Sequence, residues 1–169
     1  MSATSRRLWP LALCALLGCG PRANEAPLDV AVEVDSVALD RASGSPVVIL
    51  AEVSGRRALP IWIGIAEAHS IAAEMEHRRP PRPNTHDLAK RLVDRLDGAV
   101  QRVVVTELHD GTFYAVLFLA AHGQIFEIDA RPSDAIALAL RFGAPLFVRE
   151  SLFDEAARVA TPPRDEQST

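Results

Sequence analysis

The 169-residue chain predicts an α+β fold. Two halves, each of three strands and a helix, pack as one domain around a largely antiparallel or mixed sheet. Three observations carry that prediction. Short runs alternate apolar and polar residues with period two, the strand pattern. Gly- and Asp-containing turns separate these runs closely enough for hairpins. The order of three strands and then a helix occurs twice, over 28–77 and 99–142. Each half has one apolar face to cover, so the halves pack against each other.

The first strand runs from Leu28 to Leu39, where Val30, Val32 and Val34 alternate with Ala31, Glu33 and Asp35. Asp40 to Pro46 is a turn cluster, and Val47 to Val53 is a second strand, apolar enough to be central. Ala58 to Ile63 forms a third, with Pro60 at its start or on an edge. Gly64 breaks it, and Ile65 to His77 reads as a helix with Ile71, Ala72 and Met75 on one face. The prolines of Arg78 to Pro83 exclude helix interior and central strand, leaving a stiff basic connector. Asn84 or Thr85 caps the next helix. It sets Leu88, Leu92, Val93 and Leu96 on one face and Lys90, Arg91, Asp94 and Arg95 on the solvated one.

Strands follow at Ala99–Leu108, Thr112–Ala120 and Ile125–Asp129, joined by His109-Asp110-Gly111 and Ala121-His122-Gly123. Asp129 to Arg141 then turns a strand into an apolar helix. Pro132 suits the first helical position, Asp134 the first turn, and Gly143 the stop. Ala144–Val148 is a last short strand and Arg149–Arg158 a short helix. Residues 158–169 are polar and read as a disordered tail. The two corners align, with Ile61, Ile63 and Ile71 matching Phe126, Ile128 and Ile136, and Met75 matching Leu140. The polar positions do not match: Asp129 falls opposite Gly64, and Asp134 opposite His69.

The first 18 residues are a targeting segment rather than fold. Arg6 and Arg7 precede the apolar run Leu8–Leu17, which is too short to span a membrane as a helix. Leu16-Leu17-Gly18-Cys19 resembles a bacterial lipobox, which implies cleavage before Cys19 and its lipidation. The mature chain is then held to the cell envelope, outside the cytoplasm, by residues 19–27 as a tether. Cleavage removes Cys14, so no disulfide and no Cys-based metal site remains. It also takes the net charge from −4 to about −6. That balance argues against a general electrostatic grip on nucleic acid, although a local basic patch is compatible with it. Aromatics, at 5%, are too few for an extended base-stacking platform.

Polar groups concentrate at two helix starts. Asp129, Arg131, Ser133 and Asp134 lie within six residues at one strand-to-helix corner, and Thr85, His86 and Asp87 open the helix before it. Each has a plain structural role as well: Asp87 serves a helix N-terminus, Ser133 a turn, and Arg131 pairs with Asp129 or Asp134.

Several stretches, in order, resemble the bifunctional nuclease domain family. They are Val34–Leu39, Pro46–Leu50 and Leu59–Ala68, then Pro80-Pro81-Arg82-Pro83-Asn84-Thr85-His86-Asp87-Leu88, then Asp129–Arg141. The likeness covers 28–157, the whole mature domain, with Ile65 standing where the family has Pro. It implies an α+β fold, dimers, and cleavage of both DNA and RNA.

Phosphodiester hydrolysis needs an activated water, charge relief on phosphate and a stabilised leaving oxygen. A metal route uses carboxylates to hold a hard cation, usually Mg²⁺. The ligand candidates are Asp87, Asp129 and Asp134, with Glu67 in the companion corner. A metal-free route uses His as acid and base with Arg on the phosphate. The expected catalytic set is His86, Asp87, Asp129, Arg131, Ser133 and Asp134. Arg82, Thr85, Lys90 and Arg91 are the expected substrate contacts. The competing class is a non-catalytic lipoprotein module that binds a protein partner or ligand through the same polar corner.

Overall fold

Alternation makes the first strand, β1 (Asp29–Leu39), one-sided: Val32 is buried and Val30 and Val34 half-buried, whereas Ala31, Glu33 and Asp35 are exposed. It continues antiparallel into β2 (Pro46–Glu52) and then β3 (Ala58–Trp62). These lead into α1 (Ile65–Met75) and, after the proline connector, α2 (Thr85–Arg95). The second half repeats the plan with β4 (Ala99–His109), β5 (Thr112–Ala121), β6 (Gln124–Ala130) and α3 (Pro132–Phe142). A short β7 (Leu146–Arg149) and α4 (Ser151–Ala160) complete the chain. The computed structural model describes residues 28–160. The expected signal segment, the tether, Cys19 and the end of the tail lie outside the described residues.

The duplicated α+β plan is present as one seven-stranded sheet of order β3-β2-β1-β7-β4-β5-β6. β7 closes the gap between the halves, antiparallel to β1 and parallel to β4, so the sheet is mixed. A four-residue strand holds that central place because Leu146 and Val148 are buried while both neighbours satisfy its backbone. Two hairpins fix register in the second half. Asp110 and Gly111 take φ of 49° and 74°, and His122 and Gly123 take 52° and 74°. Left-handed pairs of this kind match the twist of the strands they join.

One core serves the whole domain. Ile71 of α1, Ile136 of α3, and Leu152 and Phe153 of α4 join Val32, Leu50, Leu59, Val103, Val105 and Leu117 of the sheet. Ile71 and Ile136 are fully buried, which is worth about 1.5–3 kcal/mol each. Gly143, at φ 63°, ends α3 as expected, and Ala144 N–H donates back to the Ala139 carbonyl at 2.9 Å.

The expected inward apolar face of α2 is a correction. Leu88, Leu92 and Leu96 are 52%, 56% and 64% exposed, and the residue that α2 buries is His86. This helix is held by its polar N-terminal turn, and its leucine stripe faces out.

Candidate functional site

The two strand-to-helix corners meet because α1 and α3 pack side by side. Gly64 caps α1 and Arg131 caps α3, so Glu67 and Asp134 are each the third residue of their helix. The sequence alignment of the corners therefore slips by two residues. β3 stops at Trp62 and needs Ile63 and Gly64 to turn, whereas β6 runs to Ala130 and turns on Arg131 alone. Seen from the caps, the acidic position does recur, and one Arg binds both copies. Arg131 Nη2 donates to Glu67 Oε1 at 2.7 Å and to Asp134 Oδ1 at 3.1 Å, and Nε donates to Asp134 Oδ2 at 2.8 Å.

These contacts set the charges. The Asp134 and Glu67 hydrogen bonds push the Arg131 guanidinium further toward its charged form. Burial pushes the Asp134 carboxyl up, but hydrogen bonds from Arg131 and His86 outweigh it and hold the group below its ordinary range. Glu67 is held low by its own backbone N–H, at a helix start, and then by Arg131. Gly64 leaves room for this arrangement: the Glu67 carboxylate lies where a Cβ at position 64 would be.

Behind Asp134 the network continues inward. His86 is 8% exposed. Its Nε2 lies 3.1 Å from Asp134 Oδ1, and its Nδ1 lies 2.9 Å from Ser70 Oγ. Ser70 fixes the tautomer. Asn84 Oδ1 accepts the Asp87 N–H at 2.9 Å, which turns Asn84 Nδ2 toward Ser70 Oγ at 3.1 Å. Arg141 Nη2 also donates to Ser70 Oγ, at 2.9 Å. Both lone pairs of the hydroxyl are then used, so its proton goes to His86 Nδ1. With Nδ1 accepting, the neutral form of the ring has its proton on Nε2 and donates it to Asp134.

Arg141 anchors the far end. Its side chain is 3% exposed, and Nε donates to Asp87 Oδ1 at 2.7 Å while Nη1 donates to the Ala137 carbonyl at 2.9 Å. Asp87 also completes a reciprocal cap, accepting the Asn84 N–H at 3.0 Å. Burial raises the Asp87 carboxyl, but the Arg141 and Asn84 hydrogen bonds win and hold it low.

The predicted residues thus divide. Arg131, Asp134, His86 and Asp87 belong to one network, with Ser133 at the start of α3. Asp129 does not join them. On β6 it pairs with Val116, while its neighbour Ile128 pairs with the buried Leu117. Alternation therefore puts Asp129 on the sheet face away from α3. Asp87, Asp129 and Asp134 do not fit Mg²⁺ as a set: two are engaged by arginines and the third points the other way. Among the described residues no group of three His, Cys, Asp or Glu side chains converges to hold a metal ion.

Arg82 and Thr85 are exposed. Lys90 donates to Asp94 at 2.7 Å and lies 4.6 Å from the centre of the Phe142 ring. Lys90 and Arg91 line a recess of about 400 Å³ with Arg78, Arg79, Arg141 and Asp87, the local basic patch that the composition left open. A second cavity, of about 410 Å³, opens at the α3 N-terminus between Trp62, Phe113, Arg131 and Ser133. A larger one, of about 600 Å³, lies between the end of β4 and α4 and holds none of the predicted site residues.

Sequence reasoning missed Ser70, Asn84 and Arg141 as parts of the site, and placed Glu67 in the companion corner without its partner Arg131. A Glu in the first turn after a Gly cap was the available signal for Glu67. Arg141, the last charge of a helix otherwise apolar on that side, gave none for its partner Asp87.

The bifunctional nuclease domain model matches residues 48–161. An uncharacterised protein of Mycobacterium tuberculosis strain H37Rv is 39% identical over 138 residues, 82% of each chain. The bifunctional nuclease 1 of Arabidopsis thaliana is 32% identical over 105 residues, 60% of this chain and 32% of the plant protein. The bifunctional nuclease 1 of Oryza sativa subsp. indica is 29% identical over 127 residues, 73% of this chain and 38% of the plant protein. The chain thus spans about a third of the plant nucleases it matches. With the matched model taking in β2 to α4 and every member of the polar network, the chain belongs to the bifunctional nuclease domain family.

Proposed function

We propose that this chain is a nuclease that hydrolyses phosphodiester bonds of DNA and RNA with low sequence specificity. The observation that carries the proposal is the clamping of Arg131. Glu67 and Asp134 occupy Nε and Nη2. That leaves the two Nη1 N–H groups without a partner among the described residues, on a side chain that is 66% exposed. A guanidinium held from behind and open in front is preorganised for a phosphate oxygen. Ser133, next along α3, adds a hydroxyl and a backbone N–H at the positive end of the helix.

The protein's share of the chemistry is therefore binding, orientation and charge relief on phosphate. His86 and Ser70 act as positioning residues for Asp134, since both ring nitrogens of His86 already have partners. The basic recess of Arg78, Arg79, Lys90 and Arg91 supports a contact to the nucleic acid backbone. Divalent-metal assistance lacks an assembled ligand set in Asp87, Asp129 and Asp134. Incubation of the purified protein with plasmid DNA and with RNA, in chelator and in added Mg²⁺, tests the activity and its metal dependence. Absence of cleavage in every arm, with a defined protein partner retained, favours the binding-module alternative.

Lipidation at Cys19 and attachment to the cell envelope are part of the same proposal, supported by the Leu16–Cys19 motif. Radiolabelled palmitate uptake by the wild type and its loss in Cys19→Ala tests it. The exposed stripe of Leu88, Leu92 and Leu96 supports a homodimer through α2.

A further inference from the structure

We infer that the cavity at the α3 N-terminus is a single-nucleotide subsite, with Ser133 and Arg131 on the phosphate and Trp62 against the base. This deepens the nuclease proposal and rests on it. Ser133 is only 6% exposed, yet its hydroxyl makes no hydrogen bond among the described residues, and it lines the cavity. Here Ser133 and Arg131 line one cavity, and the hydroxyl of the one and the unused Nη1 N–H groups of the other are donors of the kind a phosphate satisfies.

The lining of the cavity also includes aromatic residues that a base can stack on. Trp62 and Phe113 line the same cavity. Trp62 is 54% exposed on the edge strand β3, although a tryptophan with a free choice would be covered. Its indole N–H is directed at Asp40 Oδ2, 3.4 Å away, and Asp40 is itself held by the Ser43 hydroxyl at 2.6 Å. The exposed ring is suited to stacking by any base and selective for none. A volume of about 410 Å³ is in the range of small-ligand sites. Glu67 and Asp134 carry two negative charges against the one positive charge of Arg131, so the phosphate is held by directed hydrogen bonds rather than net charge and recognition needs the phosphate and the base together.

Trp62 also reports on the site. The chain's two tryptophans are Trp9 and Trp62, so in the full chain carrying Trp9→Phe the emission comes from Trp62 alone. Titration with adenosine 5′-monophosphate is expected to quench that emission saturably, at least tenfold tighter than adenosine or inorganic phosphate. Ser133→Ala in the same background, with an unchanged melting curve, is expected to weaken the nucleotide at least threefold. No saturable quenching, or nucleotide binding no tighter than adenosine or phosphate alone, overturns the subsite. Cleavage of nucleic acid without quenching overturns the subsite and leaves the nuclease proposal standing. Quenching without cleavage upholds the subsite and removes the nuclease proposal.

Discussion

Replacing Arg141 by Met is the sharpest test of how the polar network is held together. The guanidinium is almost wholly buried and donates to Asp87, Ser70 and the Ala137 carbonyl. Met fills a similar volume but leaves the Asp87 carboxylate, which is 23% exposed, without its cation. Removing one partner of a buried pair costs about 3–5 kcal/mol, and the partial exposure of Asp87 places this case near about 3 kcal/mol. In a domain of this size that lowers Tm by roughly 10 °C. The second reading is acid stability. Asp87 has a folded-state pKa below its unfolded value, so its contribution is complete above the unfolded value of about 4 and is lost as pH falls through the folded one. The variant lacks that contribution, so its stability falls less steeply than that of the wild type below about pH 4. Thermal melts by circular dichroism from pH 7 to pH 3 measure both. A drop in Tm under about 3 °C at pH 7, or an unchanged acid slope, refutes the assignment of Arg141 as the anchor.

Ser70→Ala removes the donor to His86 Nδ1 and the acceptor for Asn84 and Arg141, and is expected to cost about 1–3 kcal/mol in urea melts. In the wild type, ¹⁵N NMR of the neutral His86 ring is expected to show the proton on Nε2. Gly64→Ala is expected to change stability by less than about 1 kcal/mol, because the atom in its way is the end of a flexible Glu67 side chain. It releases Glu67 from Arg131, so cleavage of a labelled oligonucleotide is expected to fall severalfold. Leu92→Glu places a charge in the exposed leucine stripe and is expected to convert a dimer to monomer in sedimentation velocity without lowering Tm.

Much of the fold was legible because burial imposes period. Val30, Val32 and Val34 alternate as a one-sided strand must, and Asp110-Gly111 marks its hairpin through the left-handed backbone it has to adopt. The place of β7 was not legible. Its four residues mark it as a strand, but its central position follows from two half-sheets each offering an open edge. Leu88, Leu92 and Leu96 show the limit of periodicity, which identifies a helix face but not what covers it. At the site, Arg131 and Asp134 were readable because they sit close in sequence at a helix start. Asp129 shares that proximity, yet strand alternation sends it to the other face, which a spacing of five residues does not disclose. Glu67 and Arg131 lie 64 residues apart, and only the packing of α1 on α3 unites them.

Arg131, clamped by Glu67 and Asp134, is the proposed phosphate-gripping group of a nuclease. Its side chain is largely exposed, so Arg131→Ala leaves the core intact. Initial rates of cleavage of single-stranded DNA and RNA oligonucleotides, wild type against Arg131→Ala at equal protein, test it directly. The expected result is measurable cleavage of both substrates by the wild type and a loss of at least about a hundredfold in the variant, the scale of removing a transition-state donor. Equal rates for the two proteins, or no cleavage by a folded wild type with or without divalent cation, contradict it.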